Sequence, residues 1–321
     1  MNTWKTKLAV LLTAVMLAAC GSVSTTPMSP TQAFNVPLVS IDWLAKNLNK
    51  PGMVILDVGA FTHYEKNHIP GAVKAFGPWQ TMNDKFVGFM MPKEEDLVQM
   101  LRSYGVNNDS YVIVYDEGVT AMDTCRSARA LWTLHALGHN KVAILNGGFA
   151  AWEQADQPVT AEPAFPAAGN FSGKLVKEKV VSLAEVKKLL KSSGVVFLDT
   201  RLPDEHFGFE KKSNVERFGH LPDSKLWPAD FVTNAGVDLS PSFIKNIADL
   251  QQMAQGVGIP ADKNAEIITY SNTGLQAAMS YYVLHDLLGY KNVRLFDGSI
   301  LESAADKDVP MVKDAWGFIK M

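Results

Sequence analysis

The sequence predicts an α/β protein built twice, as two tandem domains that each hold an open, mostly parallel sheet flanked by helices. Three observations carry that prediction. Short apolar, β-rich runs such as Met53–Val58, Val195–Asp199 and Ile267–Tyr270 alternate with stretches of helical spacing. The order of these runs recurs: Asp57 and Asp199 stand 142 residues apart, His68 and His220 152, Tyr115 and Tyr270 155, and Gly147 and Gly298 151. A repeat of that length is a duplicated domain and not a solenoid period. Between the halves, residues 154–178 carry Pro158, Pro163, Pro166, Gly169 and Gly173 without apolar periodicity, which reads as a linker.

The chain has 321 residues, enough for two domains of ordinary size, and is 47% hydrophobic and 20% charged, the composition of a globular protein. Its formal charge of −3 gives no reason to expect nucleic acid as a partner. Residues 1–20 read as a targeting segment. Lys5 and Lys7 form a basic start, and Leu8 to Ala19 is a mostly apolar run of 12 residues, too short to span a bilayer. The run ends in Leu17-Ala18-Ala19-Cys20, which resembles the bacterial lipobox, in which the cysteine is lipidated and becomes the new N-terminus. Residues 21–37, rich in Ser, Thr and Pro, then form a tether. An ordinary secretory signal with an incidental cysteine is the alternative. The resemblance implies a cell-envelope lipoprotein that faces the periplasm and meets the membrane through its lipid anchor. Gly21 after the cysteine favours the outer membrane where the cell is Gram-negative. Cys20 and Cys125 are the only cysteines, so a lipidated Cys20 leaves no intramolecular disulfide and no cysteine-based metal site.

The first domain, residues 38–153, opens with Ser40 capping a helix over Ile41–Leu48, followed by the strand Met53–Val58 and a turn at His68–Ala72. The strand Tyr111–Tyr115 follows, and Asn146-Gly147-Gly148 closes the unit. The second domain, residues 179–303, repeats this with Ser182 capping Leu183–Lys191, the strand Val195–Asp199 and the turn His220–Ser224. Residues 304–321 form a C-terminal tail with no assigned place. The stretch that organises the chain is Ala265–Ser299. There the strand Ile267–Tyr270 runs into the loop Ser271-Asn272-Thr273-Gly274, and apolar residues at Leu275, Ala278, Met279, Tyr282, Val283 and Leu287 predict a helix that stops at Gly289. A second strand, Val293–Phe296, leads to Asp297-Gly298-Ser299. In such a unit the loop's N–H groups can converge on one point, and the helix N-terminus favours negative charge there.

This stretch resembles the C-terminal half of tandem-domain rhodaneses, the thiosulfate or 3-mercaptopyruvate sulfurtransferases. The run from Leu288-Gly289-Tyr290 through Asn292-Val293 to Phe296-Asp297-Gly298-Ser299 matches the family's closing pattern, and the resemblance extends over residues 38–303. It implies two rhodanese-like domains and a persulfide-forming cysteine at the first loop position. Ser271 stands there. Serine keeps the size of cysteine, but its hydroxyl stays protonated without a base and oxygen carries no persulfide. It also suits a plain loop and N-cap residue. By resemblance, Asn272, Thr273, Gly274, Leu275 and Gln276 form an anion-binding loop. Arg201 matches an arginine that in two-domain members reaches the site from the neighbouring strand. Arg201 also reads as an exposed strand-end arginine paired with Asp204 or Glu205. Gln276 stands where many single-domain relatives have Arg, so the loop brings no cation of its own.

In the first half, Tyr115-Asp116-Glu117-Gly118 offers two acids where a nucleophile would stand, as in the family's non-catalytic N-terminal domains. The longer loop that follows holds Cys125 beside Arg126, either an alternative reactive thiol or a small packed residue. His68 and His220 read as turn-ordering residues, and Trp43, Trp79, Trp132, Trp152 and Trp227 as core. No cofactor and no metal is called for. The expected ligand is a small sulfur-containing or other anion, alongside an envelope protein partner not identified by the sequence. Three functions stay open: an impaired sulfurtransferase that works by binding, an enzyme using Cys125 or a serine chemistry, and phosphate-ester hydrolysis.

Overall fold

The computed structural model describes residues 36–83, 87–234 and 240–314. The targeting segment with Lys5, Lys7 and Cys20, the tether as far as Asn35, and residues 315–321 of the tail lie outside the described residues.

Each half of the chain forms a five-stranded sheet with the same strand order. The first runs β1 (Leu38–Val39), β5 (Val142–Leu145), β4 (Tyr111–Tyr115), β2 (Met53–Asp57) and β3 (Val73–Lys74). The second runs β6 (Val180–Val181), β10 (Asn292–Phe296), β9 (Glu266–Tyr270), β7 (Val195–Asp199) and β8 (Lys225–Leu226). Every pairing between these strands is parallel. The central strands β4 and β9 are buried along almost their whole length, as parallel strands covered on both faces must be. The loops that leave their C-terminal ends therefore open where an α/β sheet places its ligands.

Local capping decides where the helices begin. Ser40 Oγ accepts the Trp43 N–H at 3.1 Å, although the helix it starts ends at Ala45 and not at Leu48. Ser182 and Glu185 cap reciprocally, and that helix runs Leu183–Leu189. Thr120 and Asp123 do the same for the helix Ala121–Ala136 that follows β4. The helix after β9 is α-helical over Leu275–Tyr282 and widens into a π-helical turn over Val283–Leu287, where the Leu288 N–H reaches the Val283 carbonyl at 2.9 Å. These two helices pack on each other and share one apolar core, with Leu131 and Trp132 from the first half and Met279 and Tyr282 from the second.

The linker lies against the first domain. Phe171 is buried, its N–H donates to the Val106 carbonyl at 3.1 Å, and its carbonyl accepts from Arg102 Nε at 2.6 Å. The tail as far as Asp314 also packs: Val309 is buried, and Val312 exchanges backbone hydrogen bonds of 2.8 and 2.9 Å with His220. His68 makes the corresponding pair with Thr160. The rings of His68 and His220 bond the backbone carbonyls of Tyr64 and His206, so both order turns.

Candidate functional site

The loop after β9 folds back on its first side chain. Ser271 is 1% exposed, and its Oγ accepts the N–H groups of Gly274 at 2.9 Å and Thr273 at 3.3 Å. Its own N–H donates to Ser299 Oγ at 3.1 Å, and its carbonyl accepts from Ile300. No histidine, lysine or carboxylate bonds Ser271 among the described residues. Gly274 has a left-handed φ of 77°, and a Cβ there would lie 2.8 Å from Arg129 Nη1, so the tight loop demands glycine on both counts. Asn272 donates to Glu205 Oε1 at 2.7 Å, which anchors the loop to its own domain.

The loop after β4 repeats the construction with a carboxylate in the centre. Asp116 Oδ1 accepts the Gly118 N–H at 2.8 Å, as Ser271 accepts from Thr273, and Oδ2 accepts from Ser127. Burial raises the Asp116 carboxyl to about 7. This cradle is filled by its own side chain and closed to an anion. Glu117, the second acid, is paired with Arg126 at 3.1 Å.

Each domain reaches across to hold the other's loop. From the first, Gln80 Nε2 donates to the Thr273 carbonyl at 2.6 Å, and the Met91 N–H donates to Asp297 Oδ2 at 2.6 Å. From the second, the Ser242 N–H donates to the Gly118 carbonyl at 2.7 Å, and the Ile244 N–H to Asn146 Oδ1 at 2.9 Å. Between them sits a cation that the sequence reading passed over. Arg129, 1% exposed on the helix Ala121–Ala136, places Nη1 2.6 Å from Asp297 Oδ1 and stacks its guanidinium 4.5 Å from the Trp132 ring. Its Nε and Nη2 are buried without a hydrogen-bond partner. Arg129 and Leu275 line a cavity of about 430 Å3 whose other walls include Phe76, Trp79, Gln80 and Phe89. The loop brings no cation of its own, and the other domain places this arginine beside Gly274. The available signal was an arginine set in the apolar run Ala128–Leu131 and followed by Trp132.

The Rhodanese-like domain model matches this chain twice, over residues 40–155 and 182–306. The chain belongs to the rhodanese-like family. It is 30% identical to the thiosulfate sulfurtransferase of Gallus gallus over 284 residues, covering 84% of this chain and 93% of that one. It is 28% identical to the sulfur carrier protein TtuD of Thermus thermophilus, over 86% of this chain and 96% of the relative. Among solved structures, SseA of Escherichia coli, described as a 3-mercaptopyruvate sulfotransferase with the rhodanese fold, superposes with a TM-score of 0.67 at 26% identity. That match covers 82% of this chain and 98% of SseA.

Two residues singled out for this rhodanese-like site lie differently from one another. Arg201 is 1% exposed and turned into its own domain, with Nη2 at 2.7 Å from Asp199 Oδ2 and 2.8 Å from the Gly219 carbonyl. Burial works to raise the Asp199 carboxyl, but Arg201 and His206 outweigh it and hold it at about 2. No hydrogen bond joins Arg201 to the 271–276 loop among the described residues. The exposed pairing with Asp204 or Glu205 is likewise not what forms, because Asp199 sits closer and fully buried. Cys125 is 1% exposed, and burial, reinforced by Asp230, Asp116 and Asp123, pushes its thiol well above the ordinary range. It packs as a small apolar residue within the core that holds Ala128 and Leu131.

Proposed function

We propose that this rhodanese-family chain is an envelope lipoprotein whose second-domain loop no longer transfers sulfur and serves by binding an anion or a protein partner. The observation that carries this reading is the Ser271 Oγ, capped by the Gly274 and Thr273 N–H groups and served by no base among the described residues, at the position where the family resemblance implies the nucleophile. The unpartnered Nε and Nη2 of Arg129, whose Nη1 lies beside Gly274, support a small anion as ligand. The buried, alkaline-shifted Cys125 supports no second route through a thiolate.

Titration of the soluble chain with thiosulfate tests both halves at once. Calorimetry is expected to show saturable binding, with no sulfite released over the titration. Sulfite released in stoichiometric amount, about one per chain since no sulfur acceptor is present, would remove the impaired reading, and the lack of any saturable heat would remove the anion. The envelope assignment rests on Leu17-Ala18-Ala19-Cys20. Expressed in a bacterium that processes lipoproteins, the chain is expected to give an acylated, membrane-associated product, and Cys20→Ala to abolish acylation. Identical unacylated N-terminal peptides from both, read by mass spectrometry, would contradict the anchor.

A further inference from the structure

The two loops open the helices Ala121–Ala136 and Leu275–Tyr282; a second polar cluster lies at the other ends of the same two helices. It joins His135, from the last turn of the first helix, to His285 and Asp286, from the π-helical turn that continues the second. His285 Nδ1 is 3.1 Å from Asp286 Oδ1, His135 Nε2 is 3.9 Å from the same oxygen, and one ligand atom from each residue lies within 4.8 Å of the other two. None of the three takes part in the loop site.

We propose that His135, His285 and Asp286 bind one transition-metal ion of the zinc class and so pin the two domains together. The donor set is two imidazoles and one carboxylate, the ligand chemistry of zinc and its neighbours. Metal–ligand bonds of about 2.0–2.1 Å in a tetrahedral site set ligand atoms about 3.4 Å apart, and the two observed separations to Asp286 Oδ1 fall on either side of that value. The 3.9 Å separation is too long for a hydrogen bond, so His135 Nε2 and Asp286 Oδ1 face one another unjoined. Asp286 Oδ2 is also buried without a partner, in a side chain 10% exposed. A carboxylate left this short of donors in a protein seam invites a cation.

The surroundings hold the ligands in place. His135 Nδ1 lies 3.3 Å from the Tyr281 hydroxyl, which leaves Nε2 turned toward the cluster. The Tyr281 ring stacks on His285 with centroids 5.0 Å apart and planes 12° from parallel. Lys179 Nζ sits 2.8 Å from His285 Nε2, the ring nitrogen away from Asp286. A route in exists, because His285 is 22% exposed and Lys179 lines an open, charged cavity of about 450 Å3. The π turn widens the helix where His285 and Asp286 project, a distortion that recurs at functional sites. The competing view is a polar seam with no ligand.

Cobalt(II) separates the two views. The full processed chain, free of affinity tag and stripped of metal, is titrated with cobalt(II) and followed by visible absorption. One equivalent is expected to bind with the spectrum of a low-coordinate nitrogen and oxygen site, and zinc is expected to displace it. Asp286→Asn and His285→Gln are each expected to weaken binding by more than about tenfold. Both keep the shape of the seam, and His285 lies on its rim, so folding is checked by circular dichroism before titration. Zinc is expected to raise the melting temperature of wild type but not of Asp286→Asn. The proposal falls if wild type binds no cobalt, or if both substituted chains bind it as tightly as wild type.

Discussion

Ser271→Cys is expected to fold as wild type does and to take one sulfur atom from thiosulfate. The substitution changes one atom in a loop whose geometry is otherwise complete: strand β9, Gly274 at its left-handed φ, and the return through Asp297-Gly298-Ser299. The N–H groups of Gly274 and Thr273, which reach Ser271 Oγ at 2.9 and 3.3 Å, would instead meet a sulfur, and N–H donors at a helix start favour its thiolate. The thiolate attacks the outer sulfur of thiosulfate. A new S–S bond forms at the cysteine as the old one breaks, and sulfite leaves with the electron pair. Peptide mass spectrometry is expected to show the gain of one sulfur on the peptide carrying residue 271 and none on that peptide from wild type. A variant that folds, shows a reactive thiol and gains nothing would place the fault in the loop and not in the side chain.

Removing the cross-domain ion pair is expected to have the largest effect on stability. Arg129 and Asp297 are 1% and 6% exposed and bonded at 2.6 Å, and both domains lean on the contact because Asp297 also takes the Met91 N–H. Taking away one partner of a buried pair leaves an uncompensated charge and costs about 3–5 kcal/mol. Arg129→Met should therefore lower the urea midpoint strongly. The double change Arg129→Met with Asp297→Leu should cost less than the sum of the two single changes, because no orphaned charge remains. Strict additivity in that cycle would show that the pair does not act as a unit. Loss of Arg129 should also abolish thiosulfate binding if its free nitrogens hold the anion.

These two predictions draw on different kinds of information. The frame of the site was legible along the chain, because β-rich runs ending at Tyr115 and Tyr270 and a repeated order are local patterns. Ser271 was singled out by the resemblance to the rhodaneses, which implies a cysteine at that position. The partners that complete the site were not, since Gln80 and Thr273 are 193 residues apart in sequence and Arg129 and Asp297 are 168 apart. No periodicity links residues on opposite halves of a duplicated chain. The fate of Arg201 turned on competition at short range: Asp199, two residues away, receives its guanidinium before the loop can. The tail was opaque because its placement depends on single residues, Val309 that is buried and Val312 whose backbone pairs with His220.

The central claim is that the exchange of sulfur for oxygen at residue 271 removes turnover from an otherwise retained fold. Thiocyanate formation from thiosulfate and cyanide by purified wild-type chain tests it most directly. The account predicts a rate indistinguishable from buffer, and unchanged in Cys125→Ser because that thiol is buried. A thiocyanate rate proportional to the concentration of wild-type chain, whether retained or lost in Cys125→Ser, would contradict it.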